Sequence, residues 1–244
     1  MKCTTRVLVL GIVLVASATS AFAGGVVESV STRGSGELVS REFDFDDFTD
    51  VEVGYNFEVT VRQSDSYRVA VTTDDNIMEL LRIEQRGREV EFELQRGVNI
   101  NPTTVEIEIL MPELRSISLS GSSEGSVTME LDGGSFDADL SGSSELRGRL
   151  AAERVFLSLS GSSTVDLQGG ADELEVDASG SSEVELYDFP VTRADASLSG
   201  ASDLFVTVSE ELSVDASGAS TVRYRGNPGR VEADTSGGSS VREE

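Results

Sequence analysis

Four copies of Ser-Gly-Ser-Ser stand at 120–123, 141–144, 160–163 and 179–182. Three relaxed copies follow: Ser199-Gly200-Ala201-Ser202, Ser217-Gly218-Ala219-Ser220 and Ser236-Gly237-Gly238-Ser239. The glycines advance by 21, 19, 19, 20, 18 and 19 residues. A nearly fixed step of this size is the mark of a solenoid, in which each step is one coil laid on the last.

Aligning the copies on the glycine gives each position a role. Two and four residues before it stand Leu119 and Ile117, Leu140 and Ala138, Leu159 and Leu157, Ala178 and Val176, Leu198 and Ala196, Ala216 and Val214, and Thr235 and Ala233. A strand alternates its faces, so these pairs point inward. The residue between them, Ser118, Asp139, Ser158, Asp177, Ser197, Asp215 or Asp234, points out. Four residues after the glycine a second inward column holds Leu146, Val165, Val184, Leu204, Val222 and Val241. Each coil reads as strand, Ser-Gly corner, strand and a more variable return. Stacked coils pair equivalent strands in parallel around a thin apolar core. Inward residues shrink toward Ala233 and Thr235, so the coils after about Gly218 should fray first, unless a second copy of the chain covers that end.

From 37 to 112 the signal is alternation alone. Val51, Val53, Tyr55, Phe57, Val59 and Val61 share one parity, as do Val90, Phe92 and Leu94, and Val105, Ile107, Ile109 and Met111. This predicts strands that precede the repeats and are longer than theirs. A helix of at most two turns is expected over 74–81, where Asp74, Asp75 and Asn76 are good caps and Ile77, Leu80 and Leu81 lie on one side.

Residues 1–23 read as a secretory signal, with Lys2 and Arg6 before the apolar run 7–15 and Ala21-Phe22-Ala23 at the cleavage site. The run is about half of the ~20 residues a bilayer span needs, so no transmembrane anchor is expected. Residues 24–36, ending Arg33-Gly34-Ser35-Gly36, read as a flexible tether, and 37–244 as one β-solenoid domain. The chain carries 19 Lys plus Arg against 44 Asp plus Glu, a net charge of −25. Loss of the leader removes Lys2 and Arg6, leaving 17 Arg against the same 44 acids, or −27. Such charge excludes nucleic acid and anionic membrane surfaces as partners. Histidine is absent and Cys3 is the only cysteine. His bases, thiol nucleophiles and His/Cys metal sites are therefore unavailable, and no cofactor is expected.

The opening Arg41-Glu42-Phe43-Asp44-Phe45-Asp46-Asp47-Phe48-Thr49-Asp50-Val51-Glu52-Val53 and the passage Ile109-Leu110-Met111-Pro112-Glu113-Leu114 into Ile117-Ser118-Leu119-Ser120-Gly121-Ser122 resemble the bacterial autotransporter adhesin head GIN domain family. The resemblance covers nearly all of 37–241. It implies an all-β fold, a right-handed parallel β-helix exported from the cell, with a role in adhesion and no catalytic residues. The spacing alone predicts the solenoid. Handedness rests on the resemblance and on the general preference for right-handed parallel crossovers. A left-handed hexapeptide helix, the competing solenoid, would carry an apolar period of six rather than two.

Three functional classes stay open: an adhesive or scaffolding module, a periplasmic envelope-stress or signalling accessory, and a carbohydrate-active enzyme working through paired carboxylates. Short coils with Ser-Gly corners offer few loops to wall a cleft, which disfavours the third. The serines invite a sugar- or ice-binding reading, but turn chemistry alone predicts them. One patch breaks the small-and-acidic rule. Tyr187-Asp188-Phe189-Pro190 inserts two aromatics into a return, and Phe205 takes outward parity one coil on, in the column of Arg223. Tyr187, Phe189, Phe205 and Arg223 are thus candidate contacts for a glycan or a protein partner, unless the loop folds back to cover Phe205. The acids, too, form columns three residues before and after the glycine, which predicts generic salt stabilisation and no stoichiometric calcium site.

Overall fold

The computed structural model describes residues 30–101 and 103–244. The predicted leader and the first part of the tether lie outside the described residues. One seventeen-stranded sheet winds through the molecule, and about seven coils of about 19 residues stack in parallel.

Each coil contributes a strand on either side of the Ser-Gly corner, giving two parallel stacks. The stack before the corner runs from Glu89–Leu94 through Asp50–Val53, Ser116–Leu119 and Ser135–Leu140. It continues through the later halves of Glu145–Leu159, Thr164–Ala178, Glu183–Leu198 and Asp203–Ala216, and ends at Arg230–Thr235. The stack after the corner runs from Glu106–Met111 through Glu58–Gln63 and Glu124–Glu130, the first halves of the same four long strands, and Thr221–Arg225, to Ser240–Glu243. The predicted inward columns are buried from Ile117 to Ala216 and from Leu146 to Val222. They do not stay buried to the end, because every residue of Arg230–Thr235 is exposed.

The corners are built by glycine and serine together. The seven repeat glycines have φ between +73° and +83°, and in all but the first a Cβ would overlap the carbonyl oxygen of the glycine one coil earlier. Only glycine satisfies both the left-handed backbone and the close stacking. The serine two places later turns inward and is buried. The Oγ atoms of Ser123, Ser144, Ser163, Ser182, Ser202 and Ser220 each donate to the carbonyl three residues back, at 2.8–3.0 Å.

The region 37–112 departs from its sequence reading in three ways. Its strands are three to seven residues long, shorter than the 14–16 residues of the four strands that run through the middle coils. Alternation reports which residues face the core but not how far a strand continues around a bend. Several strands are antiparallel: Leu38–Phe43 on Arg68–Asp74, Arg68–Asp74 on Glu106–Met111, and Leu81–Arg86 on Glu89–Leu94. These hairpins close one end of both stacks. The helix is a single turn, Asp75–Met78, which buries Ile77 and Met78.

The third departure is a hidden coil. Asp50–Val53 lies in register with Ser116–Leu119, and Glu58–Gln63 with the start of Glu124–Glu130, so Gly54-Tyr55-Asn56-Phe57 makes the same corner as the repeats. Tyr55, at φ +68°, occupies the glycine place. Its Cβ is tolerated because the strand beneath does not repeat the corner. That chain leaves the stack after Phe92, which accepts from the Gly54 amide, and returns at Val105, which accepts from Glu58.

The tether also needs correcting over its described part. Val30–Thr32 pairs in parallel with Val98–Ile100. Ser35 Oγ donates to Asp75 at 2.5 Å, the Gly36 amide donates to Asp74 at 2.6 Å, and Asn76 donates to the Arg33 carbonyl at 2.9 Å. The small residues that looked like a linker let the backbone lie against the helical turn.

Candidate functional site

Every coil presents the same outward positions, so the surface is organised in columns. Three places before the glycine the register reads Ser118, Asp139, Ser158, Asp177, Ser197, Asp215 and Asp234. Serine separates the acids until the last pair. Beside this column stand the serines one place before the glycine, exposed except for the half-buried Ser179, and together they line an open trough of about 640 Å³ that includes Asp177, Asp215, Asp234, Ser160, Ser179 and Ser217. Three places after the glycine the acids are contiguous: Glu106, Glu58, Glu124 and Glu145 fall on successive strands.

A third column alternates in sign. Arg154, Glu173, Arg193, Glu211 and Arg230 are register neighbours in consecutive coils. Arg154 and Arg193 hold Glu173 at 3.2 and 2.6 Å, and Arg230 holds Glu211 at 3.0 Å, while Arg193 reaches Glu210 at 3.9 Å. The Arg193 hydrogen bond keeps the Glu173 carboxyl below the usual carboxylate range. This ladder escaped the sequence reading, which followed the columns only four places to either side of the glycine. Each member nevertheless stands seven places before the next repeat glycine, so the alignment on the glycine would have revealed it had it been carried back past four places.

The predicted aromatic patch is assembled in part. Between Leu186–Val206 and Pro190–Thr207 the pairing skips Tyr187, Asp188 and Phe189, a bulge against the next coil. The Thr207 hydroxyl anchors it by donating to the Tyr187 carbonyl at 2.9 Å. The bulge splits the two aromatics. Phe189 turns into the core and is 0% exposed, so it is not a partner contact. Tyr187 stays half-buried on the surface, its ring edge-on to Phe205 with centroids 5.5 Å apart. The loop therefore does pack on Phe205, but leaves it half-buried. Phe205 and Arg223 are register neighbours, and the Arg223 guanidinium lies 5.9 Å from the Phe205 centroid. Two residues the sequence reading missed complete the patch. The Arg225 guanidinium covers the Tyr187 ring at 3.8 Å, and the Tyr187 hydroxyl donates to the Glu244 side chain. Burial, and then the neighbouring Glu244 carboxylate, push the Tyr187 hydroxyl up to about 12.

Among the described residues, Glu52, Glu91 and Glu93 form a group whose carboxylate oxygens lie within 4.8 Å of one another. Guanidinium already fills the place of a cation there. Arg82 holds Glu91 at 2.6 Å and also bonds Glu93, and Arg86 Nη1 lies 2.9 Å from the other Glu91 oxygen. Arg82 pulls Glu93 down, whereas burial and the neighbouring carboxylates Glu89, Glu91 and Glu93 push Glu52 up. The donor set is three carboxylates and two arginines, which suits an ion-pair network better than a hard cation wanting six to eight oxygens.

These features define a class: a parallel β-solenoid of stacked Ser-Gly corners whose outward columns carry carboxylates, hydroxyls and guanidiniums in open troughs. A family model described as "Putative auto-transporter adhesin, head GIN domain" matches residues 47–228, and the chain belongs to that family. Crystal structures share the fold. A putative adhesin from Bacteroides fragilis is 18% identical with a TM-score of 0.80, covering 87% of this chain and 100% of its own. One from Parabacteroides merdae is 19% identical with a TM-score of 0.69, covering 88% and 99%. A protein from Parabacteroides distasonis, described as a putative lipid binding protein, is 19% identical with a TM-score of 0.69, covering 88% and 100%. A search of curated protein sequences finds no match. Among the described residues no helix is long and apolar enough to cross a membrane.

Proposed function

We propose that this chain is an exported, non-catalytic binding module that serves in adhesion or as a surface scaffold, with a glycan as its ligand. The observation that carries the reading is the form of its polar surface. The trough crosses five coils, each rising about 4.8 Å, so hydroxyls and carboxylates repeat along roughly 24 Å of open face. An open periodic trough suits an extended ligand held at many weak points, whereas catalysis asks for a few groups converging in a site that excludes water. The family and the fold relatives, several described as adhesins, support the same reading. A lipid ligand, suggested by the description of one relative, fits the net charge of −25 less well where the lipid is anionic.

The test is a glycan array together with whole-cell binding, using the protein purified after export. Retention by a defined glycan set and by cells displaying it supports the reading. Binding to neither, with turnover of a polysaccharide in a digestion assay, would overturn it in favour of an enzyme.

A further inference from the structure

The patch at the Tyr187 bulge already holds a carboxylate, and the manner of holding points to a ligand. Phe205, Arg223 and Arg225 project from the outer face of two successive coils, and Tyr187 from the coil before them. The Tyr187 hydroxyl and Arg225 Nη2 both donate to Glu244 Oε2, the second at 3.1 Å, and Arg223 Nη1 lies 3.8 Å from Oε1. A phenol and two guanidiniums thus converge on one pair of oxygens, beside two aromatic rings. This is the chemistry with which proteins recognise a carboxylate, since the planar guanidinium matches its geometry and its charge strengthens each hydrogen bond. The occupant's backbone is fixed, its amide donating to the Tyr224 carbonyl at 3.0 Å, but its side chain stays open to solvent. Glu244 stands just past the last strand, Ser240–Glu243, and its side chain is 41% exposed.

We propose that Tyr187, Arg223 and Arg225, with Phe205 beside them, form a binding site for the carboxylate of an acidic sugar, which the Glu244 side chain occupies as an internal competitor. The proposal rests on the glycan-binding reading above and names its ligand class. The placement favours a sugar over a peptide. The site lies on the outer face of the sheet, where the backbone groups of 203–207 and 221–225 are engaged with neighbouring coils. The one free edge nearby is that of Ser240–Glu243, whereas the guanidiniums and Phe205 project from strands that lie between neighbouring coils, so the carboxylate itself is read by side chains. A net charge of −25 works against a polyanion, and the site fits a single carboxylate on an otherwise neutral glycan.

The experiment titrates the exported protein with 3′-sialyllactose and, separately, with lactose, following binding by NMR. An internal carboxylate competes at high effective concentration, so Glu244→Gln should bind sialyllactose about ten-fold more tightly than the native chain, with no measurable gain for lactose. Adding Tyr187→Phe or Arg225→Ala to Glu244→Gln should cancel that gain. Arg225→Lys, which keeps the charge but loses the planar fork, should cancel most of it; melting curves identify any variant that fails to fold. Equal affinity for lactose and sialyllactose, no difference between Glu244→Gln and the native chain, or a glutamate-bearing peptide binding as tightly as the sugar would each overturn the proposal. Whole-cell binding separates the two readings. A Glu244→Gln chain that gains no sialyllactose affinity yet still adheres sinks this site and leaves adhesion standing; one that binds the sugar but no cells does the reverse.

Discussion

The two ends of the solenoid are finished with different materials. At the first, Phe48, Phe57 and Phe92 fill the core, antiparallel hairpins cover both stacks, and the helical turn Asp75–Met78 adds Ile77 and Met78. At the other, Arg230–Thr235 is exposed along its whole length, Val231 is 40% exposed, and the Ser239 hydroxyl lacks the partner that its six predecessors have. The contrast teaches that the repeat propagates a coil but does not close one. Closure needs residues that break the period, as those of the first end do.

The largest consequence is in local stability. A coil with one neighbour and little apolar burial opens without global unfolding, so amides in 230–243 should exchange with protection several kcal/mol below those in 155–198, out of a global stability of about 5–15 kcal/mol. Uniform protection through Val241 would break the comparison and would mean that a second copy covers this end in solution.

Next in size is the corner. Gly180 and Tyr55 share the left-handed conformation, at φ +83° and +68°, but a Cβ at Gly180 would overlap the Gly161 carbonyl, whereas Tyr55 has no corner beneath it. Gly180→Val should therefore cost about 3 kcal/mol, a strained backbone added to a clash, while Tyr55→Gly should change stability by less than about 1 kcal/mol. Similar denaturant midpoints for the two variants would show that neither the left-handed backbone nor the stacking of corners contributes measurably.

A smaller effect separates two serines of the same motif. Ser182 is 1% exposed and donates to the Ser179 carbonyl at 2.9 Å, so Ser182→Ala should cost about 1–2 kcal/mol by leaving that buried acceptor unpaired. Ser239→Ala removes a hydroxyl that has no partner and should be close to neutral. Thermal melts of the two variants decide it.

What the sequence made legible follows from what repeats. The Ser-Gly-Ser period predicts the coil, the inward columns and the small outward faces, because the same environment recurs and the same residue types answer it. The hidden coil was illegible: Tyr55 replaces glycine and Phe57 replaces the buried serine, and only the register of Val51 and Val53 with Ile117 and Leu119 identifies them. The candidate site was half legible. Parity placed Phe205 and Arg223 together, but parity fails inside a bulge, so it could not tell that Phe189 turns in while Tyr187 stays out. Nor could it bring Glu244, 57 residues away, against Tyr187.

The smallest effect, salt, sharpens the comparison between columns. Carboxylates on successive strands, as in Glu106, Glu58, Glu124 and Glu145, lie about 5 Å apart and repel at low ionic strength. The ladder Arg154–Glu173–Arg193 attracts, and salt weakens it equally. With 44 acids against 19 bases, repulsion outweighs attraction. Raising sodium chloride from 0.01 M to 1 M shrinks the Debye length from about 30 Å to about 3 Å, so the melting temperature should rise. Glu52→Gln tests the same balance at one residue. Its carboxyl is pushed up in the fold, so the native state favours the uncharged form and gains stability as pH falls toward that group's range. Glutamine keeps the uncharged form at neutral pH, and Glu52→Gln should melt slightly higher than the native chain there, with the difference vanishing as the solution is acidified. Millimolar calcium at constant ionic strength should add nothing, because Arg82 and Arg86 already neutralise Glu91 and Glu93. A calcium-specific rise reversed by chelator would show that the three carboxylates release their arginines for a metal, and no response to sodium chloride would show that the columns are too well solvated to interact.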